Sequence, residues 1–184
     1  MRVSPTIIAA LSLILLLGAS RKTVVAQVWQ PGFHKLLGQP APKLDLSEWI
    51  NDKPKTLDKL KGKVVLLDIF QIICPGCHMA HPRIVEFQKR YGKQGLEVLG
   101  IAVAFEYQSA QRPDRIKKYV KANAYPYPVA IDRNMTATFR KYQSGGTPWT
   151  VLIDRDGKVR YADFFREQKI EAKIKKLLAE HGEK

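Results

Sequence analysis

Cys74 and Cys77 are the only two cysteines in 184 residues, and they stand three positions apart as Cys74-Pro75-Gly76-Cys77. A disulfide used as a staple gains most by closing a long loop, so two cysteines spent on one tight pair point to chemistry. A cysteine held at a helix N-terminus has its thiolate favoured by unpaired amides and the helix dipole, which makes it an attacking sulfur. A second cysteine one turn later is placed to attack the resulting mixed disulfide and release the substrate. On this reading Cys74 attacks, Cys77 resolves, and the two alternate between dithiol and redox-active disulfide. The same letters allow a second chemistry. Cys74-Pro75-Gly76-Cys77-His78 fits the CxxCH of covalent c-type haem attachment, with His78 as axial ligand and Met79, His81 or Met135 as the second. Zinc is disfavoured because no second CxxC completes a four-ligand shell.

The elements that must hold such a pair are readable around it. Lys63 to Phe70 is a near-continuous apolar run broken only by Asp68, the pattern of a strand buried on both faces. Cys74 to Tyr91 carries Met79, Ile84, Val85 and Phe87 at helical spacing and closes at Gly92. Leu96 to Phe105 is a second β-like run, so strand, helix and strand form a parallel βαβ unit. A helix is predicted from Pro113 to Ala122, a short strand at Val129 to Ile131, and a helix at Met135 to Tyr142. Trp149 to Ile153 and Lys158 to Phe164, joined by Asp154-Arg155-Asp156-Gly157, read as an antiparallel hairpin before a last helix from about Gln168. Leu44 to Leu46 and Lys53 to Leu57 alternate as short edge strands do. Asp68, alone in an apolar strand, should have its pKa raised by desolvation, which suits a proton acceptor for Cys77.

The front of the chain is different. Arg2 precedes an apolar run from Ile7 to Leu17, the pattern of a secretory signal, and Val24-Val25-Ala26 allows cleavage before Gln27. The alternative is an uncleaved membrane anchor over residues 7–19, although that stretch is shorter than the roughly 20 residues of a bilayer span. The domain reading is therefore a signal peptide or anchor at 1–26, an extended lead-in at 27–43 rich in proline, and one folded domain at 44–184. With 31 basic and 17 acidic residues the net charge is +14, and loss of the first 26 residues would leave +11. The basic residues are dispersed and carry no base-stacking aromatic motif, so the charge reads as solvated surface and not as a nucleic-acid site. An export signal in front of a CxxC places the pair outside the cytoplasm.

Several residues together resemble the thioredoxin superfamily. Lys63 to Phe70 leads into Cys74, Asp68 stands six residues before the first cysteine, Pro82 five after the second, and Gly146-Thr147-Pro148 precedes a strand. The Gly38-Gln-Pro-Ala-Pro42 lead-in, the Leu57 to Lys63 approach and the helix inserted after Phe105 are similar to the exported TlpA/ResA-like branch, related to the redoxin and AhpC/TSA proteins. The resemblance implies an α/β thioredoxin-like fold, a central mixed sheet flanked by helices. It also implies protein thiol–disulfide oxidoreductase activity without an added cofactor. Asp68 would exchange a proton with Cys77, and Thr147 and a cis Pro148 would present backbone groups to an extended substrate. Glu106 falls where some cytochrome-maturation members carry a glutamate near the cysteines. The implied partners are protein disulfides or dithiols, apocytochromes among them, and a membrane electron donor, in the periplasm or an equivalent exported location. The chain departs from the pattern at Ile73, where a tryptophan is usual, and in having Pro75-Gly76 where thioredoxin has Gly-Pro. A peroxidase of the peroxiredoxin kind would need a threonine three residues before its cysteine, and that position is Gln71.

Overall fold

The computed structural model describes residues 35–180, so the signal or anchor segment at 1–26 and residues 27–34 of the lead-in lie outside the described residues. Six strands form one sheet: β1 (Leu46–Trp49), β2 (Val64–Phe70), β3 (Leu96–Ala102), β4 (Val129–Asp132), β5 (Trp149–Ile153) and β6 (Val159–Phe164), in the order β1-β4-β3-β2-β5-β6. β2, β3 and β4 run parallel, and β1, β5 and β6 pair antiparallel to their neighbours. The helices are α1 (Pro75–Tyr91), α2 (Pro113–Ala122), α3 (Ala137–Lys141) and α4 (Glu167–Ala179).

Every residue of β2, β3 and β5 is buried, as continuous apolar runs in central strands require. Alternation along β2 sends Val64, Leu66 and Phe70 into one core cluster with Cys77, Ile84 and Phe87 of α1 and Ile170 and Ile174 of α4. Val65, Leu67 and Ile69 enter the other with Tyr142 and Trp149. Asp68 has the parity of the first set, so it points toward the face that α1 covers. Residues 38–41 of the lead-in lie along the start of β6, with Gly38 N donating to Val159 O at 2.8 Å and Ala41 N to Gly157 O at 2.8 Å.

Three local expectations are corrected. No strand forms at Lys53 to Leu57. Pro54 has no amide to donate, Lys55 turns to Glu97 at 2.5 Å, and Leu57–Leu60 closes as a 3-10 turn. The first edge strand is Leu46–Trp49, not Leu44 to Leu46. The helix expected from Met135 begins at Ala137, because Asn134 and Met135 hold positive φ and the Asp132 carboxylate accepts from Thr138 N at 2.7 Å and Phe139 N at 2.9 Å.

Candidate active site

β2 ends at Phe70, and four residues later Cys74 caps α1. Its Sγ accepts from Cys77 N at 3.1 Å, and its carbonyl oxygen accepts from Cys77 N at 3.0 Å and His78 N at 3.2 Å. Pro75 occupies the first helical position, where a missing amide costs nothing. Cys74 and Cys77 are joined as a disulfide with Cα atoms 5.2 Å apart. Cys74 is half-buried and Cys77 is buried, so only the first sulfur is open to a partner. The helix continues through Pro82.

The Thr147–Pro148 peptide bond is cis. Pro148 lies against the turn of the disulfide: a Cβ added at Gly76 would stand 3.1 Å from its Cδ and 3.9 Å from Cys74 Sγ. Any larger residue at Gly76 would push the two loops apart, which accounts for glycine inside the CxxC. Beyond Pro148, the Phe164 ring fills the space beneath Gly146, where an added Cβ would meet Cε1 at 3.0 Å and φ is +157°. A groove of about 400 Å³ opens beside Cys74, lined by Ile73, Phe105, Glu106, Thr147 and Phe164 among others. Ile73, Tyr107 and Phe164 are exposed apolar side chains at this mouth, and Glu106 is its acidic group.

Two buried amides tie the mouth together. Gln111 Nε2 donates to Gln71 Oε1 at 2.5 Å and to the Glu106 carbonyl at 3.2 Å, while its Oε1 accepts from Ile72 N at 2.9 Å. Gln71 Nε2 in turn donates to Thr147 Oγ1 at 3.4 Å, and its Oε1 also accepts from Glu106 N at 3.4 Å. Gln111 is fully buried and Gln71 is buried. The approach to Cys74, the Glu106 loop and the Thr147 loop are therefore held by one amide pair. Sequence reading used Gln71 only to argue against a peroxidase and did not find Gln111.

Behind the disulfide, Asp68 is buried, and desolvation pushes its carboxyl up to about 7 against a hydrogen bond from Tyr127 that lowers it. Tyr127 Oη donates to Asp68 Oδ2 at 3.2 Å and meets His81 Nδ1 at 3.2 Å. Thr150, opposite Asp68 on β5, buries its hydroxyl with no hydrogen-bond partner among the described residues. Sequence reading missed Tyr127 altogether. Both histidines weighed as haem ligands are engaged with protein groups: His78 Nε2 lies 2.8 Å from the Ile72 carbonyl oxygen, and His81 contacts Tyr127.

The AhpC/TSA family model matches residues 37–162. Protein DipZ of Mycobacterium tuberculosis is 35% identical over 128 residues, 67% of this chain but 18% of that protein. The chain thus spans less than a fifth of the length of that relative. Thiol-disulfide oxidoreductase ResA of Bacillus cereus is 31% identical over 147 residues, 80% of each chain. Among solved structures, the thioredoxin-like superfamily protein SPOA0173 superposes with a TM-score of 0.73 at 33% identity, covering 77% of this chain and 97% of its own. The cis-proline loop packed on a helix-capping cysteine pair, the mixed six-stranded sheet and these matches agree, and the chain belongs to the AhpC/TSA family with a thioredoxin-like fold.

Proposed function

We propose that this protein is a thiol–disulfide oxidoreductase that reduces disulfides of partner proteins outside the cytoplasmic membrane. The observation that carries the reading is the Cys74–Cys77 disulfide at the start of α1, with Cys74 open to the groove and Cys77 enclosed against the core. In the dithiol state Cys74, as thiolate, attacks a partner disulfide, and the displaced partner sulfur leaves as thiolate. Cys77 gives its proton to Asp68, attacks Cys74 Sγ in the mixed disulfide and expels the second partner sulfur. Two electrons pass to the partner and the Cys74–Cys77 bond is restored. A carboxylate whose pKa lies near 7 is suited to take that proton at neutral pH. Thr147 lines the groove and Pro148 packs on the disulfide turn, so an extended substrate would lie along their loop, and Glu106 modulates charge beside Cys74.

Relatives bearing the name thiol-disulfide oxidoreductase ResA support the reaction class. Apocytochrome disulfides as substrate, a membrane dithiol donor that re-reduces Cys74 and Cys77, and an exported location follow from the resemblance and the N-terminal pattern. Among the described residues no helix is long and apolar enough to cross a membrane.

The test is a redox titration of the exported domain in dithiothreitol and glutathione buffers, read by thiol alkylation. A two-electron couple near or below the roughly −270 mV of thioredoxin supports a reductase. A couple near −120 mV would overturn the reductase direction, and a Soret band or cysteines that never titrate would overturn the oxidoreductase reading.

A further inference from the structure

Asp68 is only 3% exposed. It is buried in the middle of β2 beneath α1, yet on the proposed mechanism it must gain and lose one proton in every cycle. The groups in hydrogen-bond reach of its carboxylate lead in one direction. Tyr127 Oη is 3.2 Å from Asp68 Oδ2, and His81 Nδ1 is 3.2 Å from Tyr127 Oη. His81 is only half-buried, on the second turn of α1, and the backbone carbonyl of Asn123 favours its protonated ring. The row crosses from the middle of the sheet to the helix surface.

We propose that Tyr127 and His81 are positioning residues that carry the proton between Asp68 and solvent, so that Cys77 is recharged from the surface of α1 and not through the Cys74 groove. This rests on Asp68 being the proton acceptor for Cys77. With Asp68 protonated, its O–H donates to Tyr127 Oη, the phenol O–H donates to His81 Nδ1, and Nε2 carries the ring proton. When Asp68 gives up its proton, the phenol proton moves to Nδ1 and the Asp68 proton moves to the phenol oxygen. The row becomes carboxylate, phenol and imidazolium. The imidazolium then releases its Nε2 proton to water, and the reverse steps reload the carboxyl. One proton leaves per passage, no heavy atom need move, and Tyr127 ends each passage as it began.

The surroundings suit a ring that holds a proton only in passing. The Tyr125 ring lies tilted against His81 at 3.9 Å between ring centroids, and Tyr119 of α2 stacks on His78 at 5.6 Å. Burial lowers the His81 pKa and the neighbouring His78 lowers it further. The titratable groups that interact with Asp68 and His81 are thus His78 from α1, Tyr119 from α2, and Tyr125 and Tyr127 from the segment before β4. Burial and the charge of Asp68 push the Tyr125 and Tyr127 phenols upward, so neither is a resting base.

The test is single-turnover reduction of a cystine peptide by the full-length dithiol protein from pH 5.5 to 8.5, in H2O and D2O. His81→Asn retains an acceptor oxygen near the Nδ1 position but cannot hold a proton; Tyr127→Phe breaks the row while keeping the ring. The expected result is a rate about a hundredfold lower in both, at the low end of what positioned proton transfer contributes, with imidazole restoring the rate of His81→Ala in proportion to its free-base concentration. Wild-type rates and isotope effects in His81→Asn and Tyr127→Phe would overturn the relay, as would wild-type behaviour of His81→Asn alone, which a purely structural hydrogen bond would give. Asp68→Asn separates the two claims. If it slows turnover while the other variants do not, the relay is wrong and the acceptor stands; if Asp68→Asn is itself unaffected, the acceptor reading fails first.

Discussion

The two sides of the disulfide are built from different materials. In front, Cys74 faces a groove walled by loops and the end of β6, apolar at Ile73, Tyr107 and Phe164, and kept in register by the neutral amides of Gln71 and Gln111. Behind, Cys77 packs into the layer of sheet and helix, where the hydrogen-bonded polar groups are a carboxylate, a phenol and an imidazole. Amides fix positions without titrating, whereas the groups behind titrate. The front accordingly governs which partner reaches Cys74, and the back governs when Cys77 can act. Substitutions on the two sides should separate into effects on KM and effects on the pH profile.

The largest effect expected is at the sulfurs. Cys74→Ser should abolish reduction of a partner disulfide in any assay, because the only sulfur open to the groove is gone. Next comes Asp68. Its carboxyl moves from 3.8 to about 7 on folding, so the folded state binds the proton more tightly. The stability this provides is complete below pH 4, is lost as pH rises toward 7, and changes little above that. The displacement corresponds to on the order of 4 kcal/mol. Asp68→Asn should make the oxidised protein more stable at pH 8 by up to that amount and remove the slope between pH 4 and 7 in urea unfolding. A flat wild-type profile would break the contrast drawn here.

On the front side, Gln111→Leu orphans Ile72 N and the Glu106 carbonyl and leaves Gln71 Oε1 only the long bond from Glu106 N. A loss of about 1–3 kcal/mol is expected, with KM for a peptide disulfide rising several-fold and the pH profile keeping its midpoint. A shifted midpoint would show that the two sides are not separate. Gly76→Ala brings a methyl to 3.1 Å from Pro148 Cδ, so KM should rise about two- to fivefold with stability reduced by about 1 kcal/mol. The smallest change is Glu106→Gln, which should move the rate toward cationic peptides by less than about threefold, in a way that salt erases.

How legible each side was in the sequence follows from the span of its contacts. The cysteine pair, Asp68 and Thr147-Pro148 stand out because each breaks a local rule: a tight CxxC, a charge in an apolar strand, a proline opening a strand. The parallel βαβ unit and the final hairpin were readable from periodicity and turn residues. Gln111 and Tyr127 break no local rule. Gln111 meets Gln71 across 40 residues and Tyr127 meets Asp68 across 59, so only the packing of the sheet brings them together. The edge strand was misplaced for a related reason. Leu46–Trp49 is selected by pairing with β4, more than 80 residues away, and not by its own alternation.

The most direct test of the account is to mix reduced Cys77→Ser and, separately, Cys74→Ser with a cystine peptide and locate the adduct by tandem mass spectrometry. A stable mixed disulfide is expected on Cys74 of the first variant and little or none on the enclosed Cys77 of the second. An adduct forming on Cys77 as fast as on Cys74, or on neither, would contradict it.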